Sequence, residues 1–116
     1  RGLKMAIDRL KTGIWVQAQV RICAIQNIPI YVLRRGDEDA GALFLKISSL
    51  DGLCRLYTQM RQASGEIAWT QAGAEARMTE ADASAYLERQ KNIDPDIWIL
   101  EIEDAEGRYE LDGPLI

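Results

Sequence analysis

The chain has 116 residues, of which 47% are hydrophobic and 28% are charged, and its formal net charge is −4. This length and composition are typical of one globular domain that buries a core without disulfides or a structural metal. No apolar run approaches the roughly 20 residues of a membrane-spanning helix. The opening residues carry a charge every few positions, which is unlike a signal peptide. We therefore expect a cytoplasmic protein that forms a single domain over residues 1–116.

Charge is distributed unevenly along the chain. Residues 1–36 contain seven of the 14 Lys and Arg but only one acid, Asp8, so their net charge is +6. The remaining residues contain seven basic and 17 acidic side chains, for a net charge of −10. This pattern predicts either a basic element packed on the acidic remainder or two surfaces prepared for different partners.

The first predicted helix begins at Thr12, a favourable N-cap residue. It ends near Asn27, because Pro29 disfavours helical backbone in the residue before it. Its apolar positions follow at spacings of three, four and three: Trp15, Ala18, Ile22 and Ile25. The same period runs backwards through Leu3, Ile7 and Leu10, which predicts an N-terminal extension over residues 1–9.

Two strands joined in a hairpin are predicted next. Ile30 to Arg35 has the composition of a strand, residues 36–41 form a polar loop between two glycines, and Ala42 to Ser49 forms the returning strand. The following Asp51-Gly52 pair predicts a two-residue hairpin turn, because both positions tolerate positive φ. That turn sets the register of the next strand by placing Ile47 opposite Leu56 and Lys46 opposite Tyr57.

This register divides the predicted sheet into two different surfaces. One surface is a core face, with the residues Ile30, Val32, Leu43, Leu45, Ile47 and Leu56. The other surface mixes rings, aliphatic and basic side chains: Tyr31, Leu33, Phe44, Tyr57, Arg35, Lys46 and Arg55. It is too apolar to stay exposed to water, so we expect the second helix, a second copy or an external ligand to cover it.

The second half of the chain completes the predicted fold. A short strand covers Ile67 to Gln71, and Thr79 with Asp82 begins a second helix in a variant of the capping box. The strand from Ile97 to Glu103 is apolar enough to lie near the sheet centre, and Arg108 to Leu111 forms a last strand. The fold class is α+β, a single domain with a mainly antiparallel meander sheet of about five strands and two helices. The tryptophans are assigned to the core at Trp15 and Trp98 and to a partly exposed edge at Trp69.

Four segments resemble a bacterial family of short proteins catalogued as a domain of unknown function, number fourteen ninety-one. They are LKTGIWVQAQVRIC, VLRRGDEDAGALFLKI, LDGLCRLY and YLERQKNIDPDIWILEIED. The likeness covers residues 10–112, so residues 1–9 precede the usual family start, and Gly13 stands where a charged residue is expected. The resemblance implies a small bacterial α+β domain and brings no activity with it.

Residue types exclude the common catalytic arrangements. The chain contains no His, which removes the most frequent general base and the Ser-His-Asp and Cys-His arrangements. It also lacks both glycine-rich phosphate-binding motifs. Cys23 and Cys54 have neither zinc-site nor redox spacing, and we expect them to be small buried hydrophobes. We therefore assign no catalytic residue, no metal site and no cofactor.

The residues most suggestive of binding surround the predicted 36–41 loop. Arg34 and Arg35 beside a glycine turn suit a phosphate or carboxylate, but local pairing with Asp37 or Asp39 is the favoured interpretation. The acids Asp37 and Asp39 lack the alternation of a calcium loop and are expected to be solvated turn residues.

Two classes of function remain. The favoured one is a non-catalytic protein interaction or assembly module, with a protein partner or self-association. The alternative is a single-stranded nucleic-acid-binding module that stacks bases on Tyr31, Phe44 and Tyr57 while basic side chains such as Lys46 contact phosphates. The acidic net charge disfavours the alternative. The candidate binding residues are Arg34, Arg35, Asp37, Asp39, Tyr31, Phe44, Lys46 and Tyr57.

Overall fold

A computed structural model describes residues 11–116, and within them two helices pack on opposite faces of a mixed six-stranded sheet. The helices are α1 (Thr12–Ile25) and α2 (Glu80–Ile93). The strands are β1 (Ile30–Arg34), β2 (Leu43–Ser48), β3 (Leu53–Arg61), β4 (Ile67–Gln71), β5 (Met78–Thr79) and β6 (Trp98–Glu103). The predicted α+β class is confirmed. The predicted N-terminal extension lies outside the described residues.

The sheet order is β1-β6-β2-β3-β4, with β5 paired to the start of β3. The central position predicted for β6 is therefore confirmed. The β1–β2 hairpin is wrong, because β6 lies between the two strands, antiparallel to β1 and parallel to β2. The insertion buries the apolar side chains of β6: Trp98, Leu100 and Ile102 are at most 1% exposed.

The predicted β2–β3 register is wrong by one residue. Ile47 pairs with Arg55 and Lys46 pairs with Leu56, so β3 is turned over relative to the expectation. The turn is longer than two residues because Leu50 adopts a left-handed backbone, with φ of 63°. The Asp51 carboxylate accepts hydrogen bonds from the Ser49 hydroxyl at 2.9 Å and the Leu53 amide at 3.1 Å, which stabilise this wider turn.

Both faces of the sheet are buried as a result. The α1 face holds a cluster that includes Leu43, Leu45, Trp98 and Leu100, with Ile47 and Tyr57 packed against it. The α2 face holds a second cluster: Phe44, Cys54, Leu56, Ala72, Ala83, Leu87, Ile97 and Ile99. The inward direction of Leu45 and Ile47 is confirmed. The opposite surface, predicted to be mixed, is a second core layer over β2 and β3.

Helix α1 buries a different stripe from the one predicted. Thr12, Trp15, Val16, Gln19 and Cys23 face the sheet, whereas Ile22 and Ile25 are 42% and 77% exposed. Polar residues occupy the inner stripe because each has a partner there: the Thr12 hydroxyl donates to the Gly41 carbonyl at 2.9 Å, and Gln19 accepts from the Tyr109 hydroxyl at 2.8 Å. Of the predicted stripe, Trp15 is buried as expected, whereas the assignment of Ala18, Ile22 and Ile25 to the core is wrong.

The ends of the helices follow local rules with one exception. Thr79 is the N-cap of α2 and accepts from the Asp82 amide at 3.1 Å, as predicted. Thr12 is instead the first helical residue of α1, and Lys11 is its N-cap. The helix ends in a Schellman arrangement, with Asn27 at φ 58° and the Ile28 amide donating to the Cys23 carbonyl at 2.9 Å.

The last predicted strand is also wrong, because Arg108 to Leu111 has no strand structure. The Asp104 carboxylate accepts from the backbone amides of Arg108 and Tyr109, at 2.9 and 2.7 Å, and folds this segment into a turn. The chain then runs beside β4, where the Trp69 amide donates to the Pro114 carbonyl at 2.8 Å. Trp69 is 0% exposed as a result, which corrects its predicted partial exposure.

Candidate functional site

The first notable surface is the outer edge of β1. On one side β1 pairs with β6, and on the other side no strand among residues 11–116 pairs with it. The Glu103 amide donates to the Pro29 carbonyl at 3.0 Å, which fixes the alternation of the antiparallel ladder. Tyr31, paired with Glu101, therefore directs its backbone groups towards β6. The backbone groups of Ile30 and Val32 point outward.

The side chains of this strand are apolar and accessible. Tyr31 is 47%, Val32 38% and Leu33 54% exposed. Edge strands of soluble proteins usually carry charges, proline or a bulge that prevent pairing with other chains. Here Pro29 and a bulge between Val32 and Arg34 border the strand, and residues 30–33 carry no charge. We call Ile30, Tyr31, Val32 and Leu33, with their outward backbone groups, the β1 edge.

A groove runs beside the β1 edge on the α2 face. Helix α2 packs over β3 and β5, which leaves a cavity of about 270 Å³ between the helix and β1. Its apolar lining is Leu33, Leu87 and Ile99, and its polar lining is Arg34, Ser84, Glu88 and Lys91. A chain added to β1 would thus find both unpaired backbone groups and a partly apolar groove next to them.

Charge flanks the β1 edge at both ends. The Tyr31 hydroxyl donates to Glu103 at 3.4 Å, and the Glu103 carboxylate raises the pKa of Tyr31 above its ordinary value. At the other end Arg34 donates to the Pro95 carbonyl at 2.6 Å, while its Nε atom is buried without a partner. Neither Arg34 nor Glu103 forms a salt bridge with another of the residues that the structure describes.

The 36–41 loop is internally satisfied. Arg35 contacts Glu38 at 3.5 Å and lies 5.3 Å from the centre of the Trp98 ring, so its carboxylate partner is Glu38 rather than Asp37 or Asp39. Asp39 pairs with Lys11 at 3.4 Å, and the Asp37 carboxylate accepts from the Ala40 amide at 2.9 Å. Local pairing is thus observed for Arg35, with Glu38 as its partner, whereas Arg34 donates to the Pro95 carbonyl and forms no salt bridge with a described residue.

The two glycines of this loop serve close packing. A Cβ atom on Gly36 would lie 2.2 Å from the Asp96 carbonyl oxygen, and one on Gly41 would lie 2.7 Å from the same atom. The Asp37 amide donates to that carbonyl at 2.9 Å, and the Gly41 amide donates to the Asp37 carbonyl at 3.2 Å. These amides hold the loop against the start of β6 and do not point at a free anion site.

The rings that the nucleic-acid hypothesis combined lie in three different environments. Phe44 is 8% exposed and packs edge-on against Tyr86 of α2, with ring centres 6.1 Å apart. Tyr57 lies on the opposite face, against the α1 cluster, because the β3 register differs from the predicted one. Tyr31 alone is exposed on the α2 face. The predicted stacking platform is therefore wrong.

Lys46 is a buried structural cation. It is 6% exposed and forms salt bridges with Glu80 and with Glu101, the latter at 3.2 Å. Burial lowers the pKa of Lys46, but its hydrogen bonds to Glu80 and Glu101 outweigh burial and raise the pKa overall. Its ammonium group connects α2 to the sheet and is not available to phosphate.

A second cleft was not predicted from the sequence. It has a volume of about 460 Å³ and lies where α1 does not cover the sheet. Its side walls bring Arg55 and Tyr57 of β3 together with Arg77 and Tyr109. Arg77 lies 3.9 Å from Asp51, and Asp104 in the cleft wall is already bonded to two backbone amides. The observed β3 register brings these side chains together, and the residues next to them in the sequence do not predict that register.

The cysteines behave as predicted. Cys23 and Cys54 are both buried and unpaired, one in each core layer, and burial raises the pKa of both thiols. Within residues 11–116 no cluster of potential metal ligands occurs. None of the helices described there is long and apolar enough to cross a bilayer.

The fold and these surfaces define a small α+β protein in which no strand of residues 11–116 covers the outer side of β1. Comparison with known families gives its class. The family model "Protein of unknown function (DUF1491)" matches residues 10–112. The chain belongs to this family, as the sequence resemblance indicated. No curated protein matches the chain.

Solved structures of the same family are similar. A crystal structure of a DUF1491 family protein from Caulobacter crescentus CB15 is 38% identical, with a TM-score of 0.79, over 93% of this chain and 98% of that one. An NMR structure of a DUF1491 family protein from the same organism has a TM-score of 0.77 at 38% identity, over 93% and 97% of the two chains. The solution structure of protein Atu0922 from A. tumefaciens is 29% identical, with a TM-score of 0.71, over 84% of this chain and 88% of that one.

Proposed function

We propose that this chain is a non-catalytic protein interaction or assembly module whose binding surface is the β1 edge. The observation that supports the proposal is the combination of outward backbone groups at Ile30 and Val32 with exposed apolar side chains at Tyr31, Val32 and Leu33. A strand from a partner would satisfy the backbone groups and cover the side chains at the same time. This mode of binding needs none of the catalytic residue types that the chain lacks.

We further propose that the module acts in the bacterial cytoplasm. Its two thiols are unpaired, which suits a reducing compartment, and the similar structures include one from Caulobacter crescentus. The alternative of nucleic-acid binding has no observation in its favour, because Phe44 and Lys46 are buried and Tyr57 faces away from Tyr31.

Site-specific cross-linking tests the proposal. In one variant Tyr31 is replaced by a photoreactive phenylalanine. In a control variant the same replacement is made at Leu50, which is 60% exposed in a distant turn. After illumination in native extract, we expect a protein adduct at position 31 that is absent at position 50. The captured protein, once purified, must also slow hydrogen exchange at the Ile30 and Val32 amides.

A second variant removes the backbone donor that the proposal needs. Val32→Pro deletes the outward amide, and proline is tolerated at edge positions whose amide faces solvent. We expect this variant to fold and to lose the adduct. An adduct of equal yield at positions 31 and 50, or one that survives Val32→Pro, would contradict the proposal.

A further inference from the structure

The proposed function does not name the partner of the β1 edge. The charges at this edge favour one particular partner. We propose that the β1 edge binds the β1 edge of a second copy of this chain, antiparallel, across a two-fold axis that passes beside Tyr31. This inference rests on the proposed function and names the partner of the same surface. Three features of the edge support it: its backbone register, its charge pattern and its side chains.

The backbone register is self-complementary. Outward backbone groups belong to Ile30 and Val32, which are separated by one residue. When two antiparallel copies are centred on Tyr31, Ile30 of each chain lies opposite Val32 of the other. Each such pair exchanges two N–H···O bonds, so every outward group of Ile30 and Val32 is satisfied. A register centred on Ile30 would require Ile28, whose amide already donates to the Cys23 carbonyl.

The charge pattern is complementary in the same orientation. Arg34 lies at one end of the β1 edge and Glu103 beside the other end, and both side chains lie on the α2 face. The antiparallel pairing brings Leu33 opposite Pro29 of the second copy, which is hydrogen-bonded to Glu103 of that copy. Arg34 is then about two strand spacings, roughly 10 Å between backbones, from Glu103 of the second copy. Long side chains span that distance.

This contact would join two ions that lack an oppositely charged partner within the described part of their own chain, although Arg34 donates to the Pro95 carbonyl. Arg34 forms no salt bridge there, and Glu103 contacts only the Tyr31 hydroxyl. The two-fold axis repeats the contact, so each dimer has two Arg34–Glu103 pairs. A parallel pairing of the edges would instead leave Arg34 and Glu103 of the two copies at opposite ends of the interface.

The side chains fit the same arrangement. Tyr31 of the two copies would form a cross-strand pair in the closely spaced, non-hydrogen-bonded position, where aromatic pairs stabilise sheets. On the α1 face, the half-buried Ile30 would contact Val32 of the second copy. Residues that are exposed in one chain thereby cover each other.

Sedimentation of the full chain over a wide concentration range tests the proposal. We expect a monomer–dimer equilibrium. Glu103→Lys and Arg34→Glu, each alone, should weaken the dimer by about tenfold, because each puts two like-charge contacts across the axis. Glu75→Lys makes the same charge change as Glu103→Lys at an exposed loop position and should leave the dimer unchanged. A thermal melt of each variant verifies that it folds.

Mixing the two weakened variants gives the decisive result. In a heterodimer of Arg34→Glu with Glu103→Lys, both cross-axis contacts are again between opposite charges. We expect the mixture to dimerise close to the wild-type level although neither variant does so alone. The β1 pairing is overturned if neither Glu103→Lys nor Arg34→Glu weakens the dimer. It is also overturned if the mixture of these two variants does not dimerise more strongly than each variant alone.

A monomer at every concentration also overturns the proposal, and hydrogen exchange then identifies the occupant. Protected Ile30 and Val32 amides in that monomer would show that the chain's own residues 1–10 cover the edge. Rapid exchange at both amides would leave the edge to a different protein. Cross-linking at position 31 separates the two proposals. Capture of a protein other than this chain would support the interaction module and contradict only the dimer.

Discussion

The carboxylate of Asp112 binds two indole groups. Its oxygens accept from Trp15 Nε1 at 2.6 Å and from Trp69 Nε1 at 3.1 Å, and the two rings are tilted with centres 5.7 Å apart. Both rings are almost completely buried. One residue near the C-terminus therefore joins α1 to β4, which no local sequence pattern indicates.

We predict that Asp112→Ala lowers the free energy of unfolding by about 2–4 kcal/mol, because it leaves two buried indole donors without an acceptor. Asp112→Asn retains one acceptor oxygen and should cost about half as much. Urea unfolding followed by tryptophan fluorescence measures both. Glu110→Ala, an exposed neighbour, should change stability by less than about 0.5 kcal/mol. Equal stabilities for Asp112→Ala and Glu110→Ala would refute the role of Asp112.

Tyr109 makes stability depend on alkaline pH. Burial raises the pKa of its hydroxyl well above the ordinary value, and the hydroxyl donates to Gln19 at 2.8 Å. Because the folded state keeps this proton while the unfolded state loses it near pH 10, the contribution is complete below that pH and is lost above it. The raised pKa of Lys46 acts in the same direction.

We expect the unfolding free energy of the wild type to fall more steeply above about pH 10 than that of Tyr109→Phe. At neutral pH the same substitution should cost about 1 kcal/mol for the lost hydrogen bond. Chemical denaturation at a series of pH values measures both quantities. Parallel pH profiles for the two proteins would show that Tyr109 keeps an ordinary pKa when folded.

At the scale of elements, local rules predicted what local residues determine. The Thr79 cap, the central position of β6 and the inward direction of Leu45 follow from short patterns of side chains. The β1–β2 pairing does not, because β6, which begins 64 residues after the end of β1, inserts between the two strands. The β3 register does not either, because Leu50 widens the turn before β3. The β1 edge as a candidate site depends on that insertion. The sequence correctly placed Tyr31 on the same face as Phe44 but wrongly grouped it with Tyr57, which lies on the opposite face.

The contact between the 36–41 loop and the start of β6 gives an element-scale prediction. Gly36→Ala would put a methyl group against the backbone of Asp96 and Ile97, so we expect a loss of several kcal/mol. Gly52→Ala meets no atom within 4 Å and should cost only the strain of its φ of 88°, about 1 kcal/mol. Denaturant unfolding compares them. A smaller loss for Gly36→Ala than for Gly52→Ala would argue against the inserted β6.

For the whole molecule, the uneven charge of the sequence has a specific structural outcome. Two basic residues of the first third form exposed salt bridges, Lys11 with Asp39 and Arg35 with Glu38, and exposed pairs of this kind contribute little to stability. Arg34 has no such partner among the described residues. If the proposed dimer forms, we expect this charge asymmetry to affect association more than folding.

We predict that added salt weakens self-association while it leaves the unfolding midpoint nearly unchanged. The proposed Arg34–Glu103 contacts lie at the surface, where salt screens charges over about 8–10 Å. The core layers and the buried Lys46 are screened much less. Sedimentation and thermal melting at low and high salt measure the two effects. A dimer that strengthens with salt would indicate an apolar interface elsewhere on the molecule.

Amide hydrogen exchange at three adjacent residues tests most directly whether β1 has an open edge. In dilute solution, where no partner is bound, the Tyr31 amide should exchange slowly because it is bonded to β6, whereas the Ile30 and Val32 amides should exchange quickly. At high protein concentration, or with a bound partner, all three should be protected. Slow exchange at Ile30 and Val32 in the dilute protein would contradict an open edge and remove the basis for binding there.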